Sequence, residues 1–146
     1  MRTLAIDFGE KRIGLAISDE GGNLASPLEV IEASGAEAKI ERVVKEEGVG
    51  RIVVGIPLNM DGSFGPAAAK AARWGRKLRA TLGVELILVD ERLSSFEAEQ
   101  TLRRRKMAGE KLTRQKKKSR LDALAAAGIL QAYLDGKAET IEEGRG

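Results

Sequence analysis

The sequence predicts an α/β fold on one mixed β-sheet, and three observations support this prediction. Three short apolar segments separated by turns open the chain, as in an antiparallel meander. Two later β-branched segments alternate with long amphipathic segments, which indicates parallel strands joined by crossover helices. Aromatic residues make up only 3% of the 146 residues, so the core must consist of Val, Ile, Leu and Ala. This length favours one domain.

The first three strands follow from apolar patterning. Residues 3–8 form a near-continuous apolar run, which is typical of a central strand buried on both faces. In residues 13–18, large apolar side chains alternate with small ones at the two-residue period of a strand. The third strand, residues 24–31, contains Pro27, which cannot donate a hydrogen bond to a neighbouring strand. We therefore expect this third strand at an edge of the sheet or at a bulge.

Helix signals appear after the meander. Ser34 with Glu37 three residues later predicts a capping box, and the helix that follows is expected to end near Gly48. A β-branched strand is predicted over residues 51–56. Pro66 suits the first turn of an alanine-rich helix that runs to about residue 82, because proline is favoured at the first helical position.

The last part of the chain adds one strand and two helices. A strand is predicted over residues 84–89, and a second capping box at Ser94 and Glu97 begins a helix that reaches about residue 107. The final helix is predicted over residues 117–134. Residues 137–146 are expected to form a frayed tail.

Cysteine and histidine are both absent from the sequence, and this limits the available chemistry. Disulfides, thiolate nucleophiles and the usual base of a Ser or Cys triad are excluded. A hard cation such as Mg²⁺ or Mn²⁺, held by oxygen ligands, is then the natural cofactor. No apolar segment reaches membrane-spanning length and no signal-peptide pattern begins the chain. We therefore expect a cytoplasmic protein that does not contact membranes.

Positive charge is concentrated in residues 103–120, which hold ten Lys or Arg and a single acid, Glu110. The charge of this basic segment is +9 in a chain of net charge +3, which leaves −6 for the rest. Two interpretations are open: a solvated helix face, or an arm that contacts phosphates.

Acidic residues occur where the local pattern does not predict them. Asp7 ends the first strand, Asp90 and Glu91 follow the last strand, and Asp122 lies on a largely apolar face of the final helix. Taken singly, Asp7 also suits a turn cap and Asp122 a favourable helix-dipole contact. Neighbours in an extended chain point to opposite faces, so only one of Asp90 and Glu91 is expected in a site, and spacing does not choose between them. Three converging carboxylates repel without a cation, so together they predict a site for one or two divalent ions that supports phosphodiester cleavage.

Candidate nucleic-acid contacts surround these acids. Two basic residues lie in the turn that follows the first strand. Arg92 either orients a carboxylate or clamps a phosphate, and Ser95 lies at a predicted helix N-terminus, where backbone N–H groups suit an anion. The predicted nucleic-acid-binding residues are Lys11, Arg12, Arg92, Ser95, Arg104, Arg105, Lys116, Lys117 and Lys118.

Four sequence blocks occur in a specific order. Residues 7–19 read DFGEKRIGLAISD, residues 55–63 read GIPLNMDGS, residues 90–95 read DERLSS, and residues 116–126 join KKK to LDALAA. Together they resemble the YqgF family, bacterial ribonuclease-H-like proteins described as pre-16S rRNA nucleases and, earlier, as Holliday junction resolvases. The resemblance extends from the first residue to about Tyr133.

This resemblance implies a ribonuclease-H-like nuclease domain over residues 1–136, with a five-stranded mixed sheet flanked by helices on both faces. It implies catalytic and metal-ligating roles for Asp7, Glu91 and Asp122, and so favours Glu91 over its neighbour. The acidic residues and the resemblance together predict a Mg²⁺- or Mn²⁺-dependent endonuclease that processes the 5′ end of pre-16S rRNA. A monomer and a homodimer are both compatible with the sequence.

Other functions remain open on the sequence alone. The first alternative is a Holliday junction resolvase acting on branched DNA, and the second is a module that binds nucleic acid without catalysis. A phosphotransferase of the actin and sugar-kinase type also begins with Asp-x-Gly after a strand, but it needs a second lobe for which 146 residues leave no room.

Overall fold

The computed structural model describes residues 1–92 and 114–141, with residues 114–122 described by their backbone alone. These residues form six strands and three helices. In chain order the elements are β1 (Arg2–Asp7), β2 (Arg12–Ser18), β3 (Ala25–Glu32), α1 (Ala36–Glu47), β4 (Val49–Ile56), α2 (Pro66–Leu82), β5 (Glu85–Asp90), α3 (Arg114–Leu134) and β6 (Thr140–Ile141).

The sheet has the strand order β3-β2-β1-β4-β5-β6. Strands β1, β2 and β3 pair antiparallel as a meander, and β4 pairs parallel with both β1 and β5. This arrangement confirms the predicted α/β class with a meander followed by parallel strands. The structure adds a sixth strand, in which Ile141 and Thr140 pair antiparallel with Leu88 and Val89. A paired strand therefore lies where the sequence predicts a frayed tail, and residues 142–146 lie outside the described residues.

Helices cover both faces of the sheet, as predicted. On one face Leu4 and Ile6 of β1 belong to the core cluster that includes residues of α1 and α2. On the other face Ala5 packs in a second cluster with Ala126 and Leu130 of α3. Because side chains alternate along a strand, Asp7 lies on the same face as Ala5, toward α3.

The ends of α1 and α2 follow the predicted glycine and proline signals, with one exception. Pro66 begins α2, and Gly48 ends α1 in the left-handed conformation at φ 64°. The capping box at Ser34 is wrong, because Gly35 is the N-cap residue of α1 and no side chain caps this end. Glu37 instead accepts a hydrogen bond of 3.2 Å from Nε1 of Trp74 on α2. The second predicted box, at residues 94–97, lies outside the described residues.

Strand β3 is an edge strand with an irregular register. Pro27 lies opposite Ala16 whereas Glu29 lies opposite Leu15, so Leu28 is an extra residue in the ladder. Edge position and bulge are both where proline is tolerated in a sheet. Within the described parts of the chain, no helix has the length and apolar character needed to cross a membrane.

Candidate active site

The parallel strands bring two acidic residues to one edge of the sheet. Asp7 is the last residue of β1, and Glu91 follows directly after β5. Strand β4 runs between them, with Gly55 opposite Asp7. The backbone of Glu91 is anchored to β4, since its N–H donates to the carbonyl of Ile56 at 3.3 Å.

Gly55 provides the space in which the two acids meet. A Cβ atom at this position would lie 2.7 Å from Oε2 of Glu91 and 2.6 Å from Cδ1 of Ile129. The Glu91 side chain therefore lies across Gly55, beneath α3. From there it reaches Asp7, and the two carboxyl groups share a side-chain hydrogen bond. A glycine inside a β-branched strand is the sequence feature that marks such a close approach.

The surroundings of Glu91 favour its neutral form. Burial, the negative charge of Asp7, the hydrogen bond to Asp7 and the charge of Asp90 together raise the pKa of Glu91 to about 8. Burial is the largest of these causes, because desolvation penalises a carboxylate. A bound cation would reverse this preference by stabilising both carboxylates.

Asp90 and Arg92 form a separate pair beside the two acids. Burial opposes ionisation of Asp90, but hydrogen bonds from Arg92 hold the pKa of this carboxyl group below its usual value. The guanidinium of Arg92 donates from Nε to Oδ2 of Asp90 at 2.9 Å, and Nη2 lies 2.7 Å from the same oxygen. The backbone N–H of Arg92 donates to Oδ1 at 3.0 Å. The structure thus pairs Arg92 with a carboxylate, and contact of Arg92 with a phosphate stays a prediction.

Arg92 also reaches the loop of residues 57–65, which connects β4 to α2. Its Nη1 donates to the carbonyl of Met60 at 3.3 Å. Inside the loop, the backbone N–H of Asn59 donates to the carbonyl of Ser63 at 3.0 Å, and Gly62 donates back to Asn59 at 2.8 Å. These bonds hold the loop against the end of β5, with the side chain of Met60 94% exposed at its tip.

The structure describes the other predicted nucleic-acid-binding residues to different extents. Lys11 and Arg12 are exposed in and just after the β1–β2 turn. They line an open cavity of about 470 Å³ together with Glu10, Glu32 and Ser34. Lys116, Lys117 and Lys118 lie in the first turns of α3, where the backbone alone is described. Ser95, Arg104 and Arg105 lie outside the described residues.

The third predicted acid, Asp122, lies in the part of α3 of which only the backbone is described. It precedes Ala126 by four residues and Ile129 by seven, so it shares a helix face with both. Both of these residues are buried against the sheet. Among the side chains that the structure describes, no group of three or more acids is placed to hold a metal ion.

Residues 1–136 of the sequence match the family described as "RuvX: Holliday junction resolvase". The chain belongs to this family. A RuvX-family relative from Anaeromyxobacter dehalogenans (strain 2CP-1) is 47% identical over 141 residues, which cover 94% of this chain and 99% of the relative. Another, from Caldanaerobacter subterraneus, is 41% identical over 140 residues and covers 94% and 98% of the two chains. Both relatives carry the name "Putative pre-16S rRNA nuclease". These matches confirm the resemblance to YqgF proteins that the four sequence blocks predict.

A solved structure shares the fold of this RuvX-family chain. Thermus thermophilus RuvC in complex with a Holliday junction substrate aligns with a TM-score of 0.59 at 19% identity. The alignment covers 97% of this chain and 100% of the RuvC chain. It confirms the ribonuclease-H-like fold class, and at this level of identity it supports the fold alone.

Two residues contribute to the candidate site in ways that the sequence analysis of this RuvX-family chain does not predict. Gly55 enters the sequence analysis only as the first residue of the block at residues 55–63, although a glycine between Val54 and Ile56 in a β-branched strand is the signal for close approach. Asp90 appears only as the alternative to Glu91. Its pairing with Arg92 depends on the turn after β5, which no periodic pattern encodes.

Proposed function

We propose that this RuvX-family chain is a divalent-metal-dependent endonuclease that processes the 5′ end of pre-16S rRNA in the cytoplasm. The contact between the Asp7 and Glu91 carboxyl groups over Gly55 is the observation that supports catalysis. The choice of pre-16S rRNA as the substrate rests on the names of the two relatives.

The donor set fits a hard cation, because its described members are carboxylate oxygens crowded into one partly buried position. Asp7, Glu91 and Asp122 would hold Mg²⁺ or Mn²⁺. When bound, the cation supplies Lewis-acid chemistry and lowers the pKa of water for attack on a phosphodiester. The chain orients Glu91 through its backbone bond to β4, shields its side chain with Ile129, and braces the adjoining loop through Arg92.

Substitution of Asp7 by Asn tests catalysis separately from binding. We expect the native chain to cut an RNA with the pre-16S 5′ leader in Mg²⁺ or Mn²⁺ and to stop in EDTA. The cleavage rate of the Asp7→Asn variant should fall by more than the roughly 10- to 100-fold that follows loss of a residue in the outer shell of a metal site. Its affinity for the RNA should stay within about twofold, because asparagine keeps the shape of the side chain and removes only its charge.

The matched control is Glu46→Gln, the same removal of a carboxylate at an exposed position on α1. This variant should cut at the native rate. Equal cleavage by the native chain and Asp7→Asn would exclude the proposed site.

Resolution of Holliday junctions is the second candidate, because the matched family carries that description. A labelled four-way DNA junction and the leader RNA should be compared at equal concentration in one assay. Faster cutting of the junction, with paired symmetric nicks, would replace the RNA substrate by branched DNA. Tight binding of either substrate without any cut would indicate a non-catalytic module.

Charge reversal of Lys116, Lys117 and Lys118 to Glu tests the basic segment as a phosphate-contacting arm. We expect weaker binding to every RNA sequence, with a salt slope smaller by about 2–3, since each lost phosphate contact on nucleic acid removes about 0.7–0.9. Fluorescence anisotropy between 50 and 200 mM salt measures the slope. An unchanged slope would identify the segment as a solvated helix face.

A further inference from the structure

Helix α2 carries charge of a single sign. Among its 17 residues there are five basic side chains and no Asp or Glu. With +5 on α2 and +9 on residues 103–120, a chain of net charge +3 leaves −11 for all other residues. Neighbouring α1, in contrast, mixes acidic and basic residues throughout. The basic residues of α2 are Lys70, Arg73, Arg76, Lys77 and Arg79.

Three of these side chains form one exposed row. Lys70, Arg73 and Lys77 are exposed, and their spacing of three and four residues places them on one face over about 10 Å of helix axis. The opposite face of α2 is buried against the sheet at Ala71 and Leu78. We call Lys70, Arg73 and Lys77 the α2 row. Arg76 and Arg79 are half-buried and make contacts of their own.

The α2 row begins at the end of the sheet that carries the candidate active site, but on the opposite face. Nζ of Lys70 lies 3.0 Å from Oε1 of Glu10, which stands three residues after Asp7 in the β1–β2 turn. The ion pairs among the described residues do not include Arg73 or Lys77. Because α2 and α3 pack on opposite faces of the sheet, the row and the basic residues at the start of α3 belong to different sides of the molecule.

The side chains near the row favour contact with phosphates over contact with bases. Trp74 is the aromatic residue of α2, and it is half-buried. Its ring packs on Phe8 with centroids 4.8 Å apart, and its Nε1 donates to Glu37. It is therefore engaged inside the fold and does not offer a stacking platform for unpaired bases. Arginine and lysine side chains without such a platform suit the phosphate backbone of a duplex.

We propose that the α2 row is a second nucleic-acid contact surface, which binds the phosphate backbone of a double-stranded arm of the RNA substrate on the face of the sheet opposite the candidate acids. The identity of the substrate rests on the proposed function. The row binds the arm that leaves the site past the β1–β2 turn.

The test replaces Arg73 and Lys77 together by Gln in a chain that also carries Asp7→Asn, so that the RNA stays intact. Lys70 is left in place because it pairs with Glu10. The matched control, Lys39→Gln with Arg42→Gln, removes the same two charges from exposed positions on α1. Anisotropy with a labelled 16-base-pair RNA hairpin, measured from 50 to 200 mM salt, gives the slope for each protein. Circular dichroism and urea unfolding verify that all variants fold.

We expect the α2 double variant to reduce the salt slope by about 1.5, as loss of two phosphate contacts requires, while the α1 control leaves it unchanged. An unchanged slope in the α2 variant, or equal reductions in both double variants, would overturn the proposal. So would an effect confined to single-stranded RNA, or a native chain that binds no hairpin. Cleavage is measured separately with the native chain. A reduced salt slope in the α2 double variant without cleavage by the native chain would contradict the nuclease function but not the α2 row. Cleavage by the native chain with an unchanged salt slope in the α2 double variant would contradict the α2 row but not the nuclease function.

Discussion

Replacement of Gly55 by Ala is expected to lower metal-dependent cleavage about 100-fold. The new Cβ would lie 2.7 Å from Oε2 and 3.2 Å from Cβ of Glu91, so the whole Glu91 side chain must move away from Asp7. A displacement of about 1 Å at a reacting group costs about 100-fold in rate. The added methyl group would also lie 2.6 Å from Cδ1 of Ile129, and such overpacking costs about 1–3 kcal/mol of unfolding free energy.

A second substitution separates these two effects of Gly55→Ala. Ile129→Val removes the Cδ1 methyl group, so the double variant should recover part of the urea midpoint but not the cleavage rate. The control is Gly75→Ala on α2, on the opposite side of β4, where a Cβ would meet Cγ2 of Val54 at 3.3 Å. We expect this control to cut at the native rate. Native cleavage by Gly55→Ala would refute the role of Gly55 as the space for Glu91.

Replacement of Glu91 by Gln is expected to stabilise the metal-free protein near pH 8 while abolishing cleavage. In the unfolded chain Glu91 loses its proton near pH 4.5, whereas in the folded chain its pKa is raised to about 8. The folded state therefore binds more protons across this interval, and linkage makes its stability fall as pH rises from about 4.5 to about 8. The loss is on the order of a few kcal/mol. Glutamine has no proton to lose and stays neutral beside Asp7.

Urea unfolding in EDTA at pH 5, 6.5 and 8 measures this difference. All other titratable groups are the same in both proteins. The difference in unfolding free energy between Glu91→Gln and the native protein should therefore widen as the pH rises. Glu46→Gln should follow the native curve. Addition of Mg²⁺ at pH 8 should stabilise the native protein more than Glu91→Gln, because the variant lacks one carboxylate. A constant gap between the two proteins across pH would contradict the burial of Glu91 against Asp7.

Periodic signals in the sequence predict the parts of the fold that surround the site. The apolar run that ends at Asp7 predicts a central strand, and the two later β-branched segments predict parallel strands, which the structure shows as β4 beside β1 and β5 beside β4. These three strands place Asp7 and one of Asp90 and Glu91 at the same edge of the sheet. Pro27 likewise predicts its edge position correctly, because a missing N–H is tolerated in few places in a sheet.

Features that depend on contacts between distant residues are not predicted. The capping box at Ser34 fails because Gly35 takes the N-cap position in the left-handed conformation and Glu37 is engaged by Trp74. Strand β6 has two residues, too few for a two-residue period to be recognised. The distinction between Asp90 and Glu91 requires the resemblance, because alternation along a strand says only that the two differ in direction.

The irregular register of β3 has a consequence for the protein at high concentration. An exposed sheet edge can recruit a strand from another molecule and so start an ordered aggregate. Here Pro27 supplies no amide hydrogen, and the extra residue Leu28 breaks the even spacing of the backbone groups beside it. The edge strand β3 is therefore a poor template for strand pairing between molecules, even though Leu28 is exposed on it.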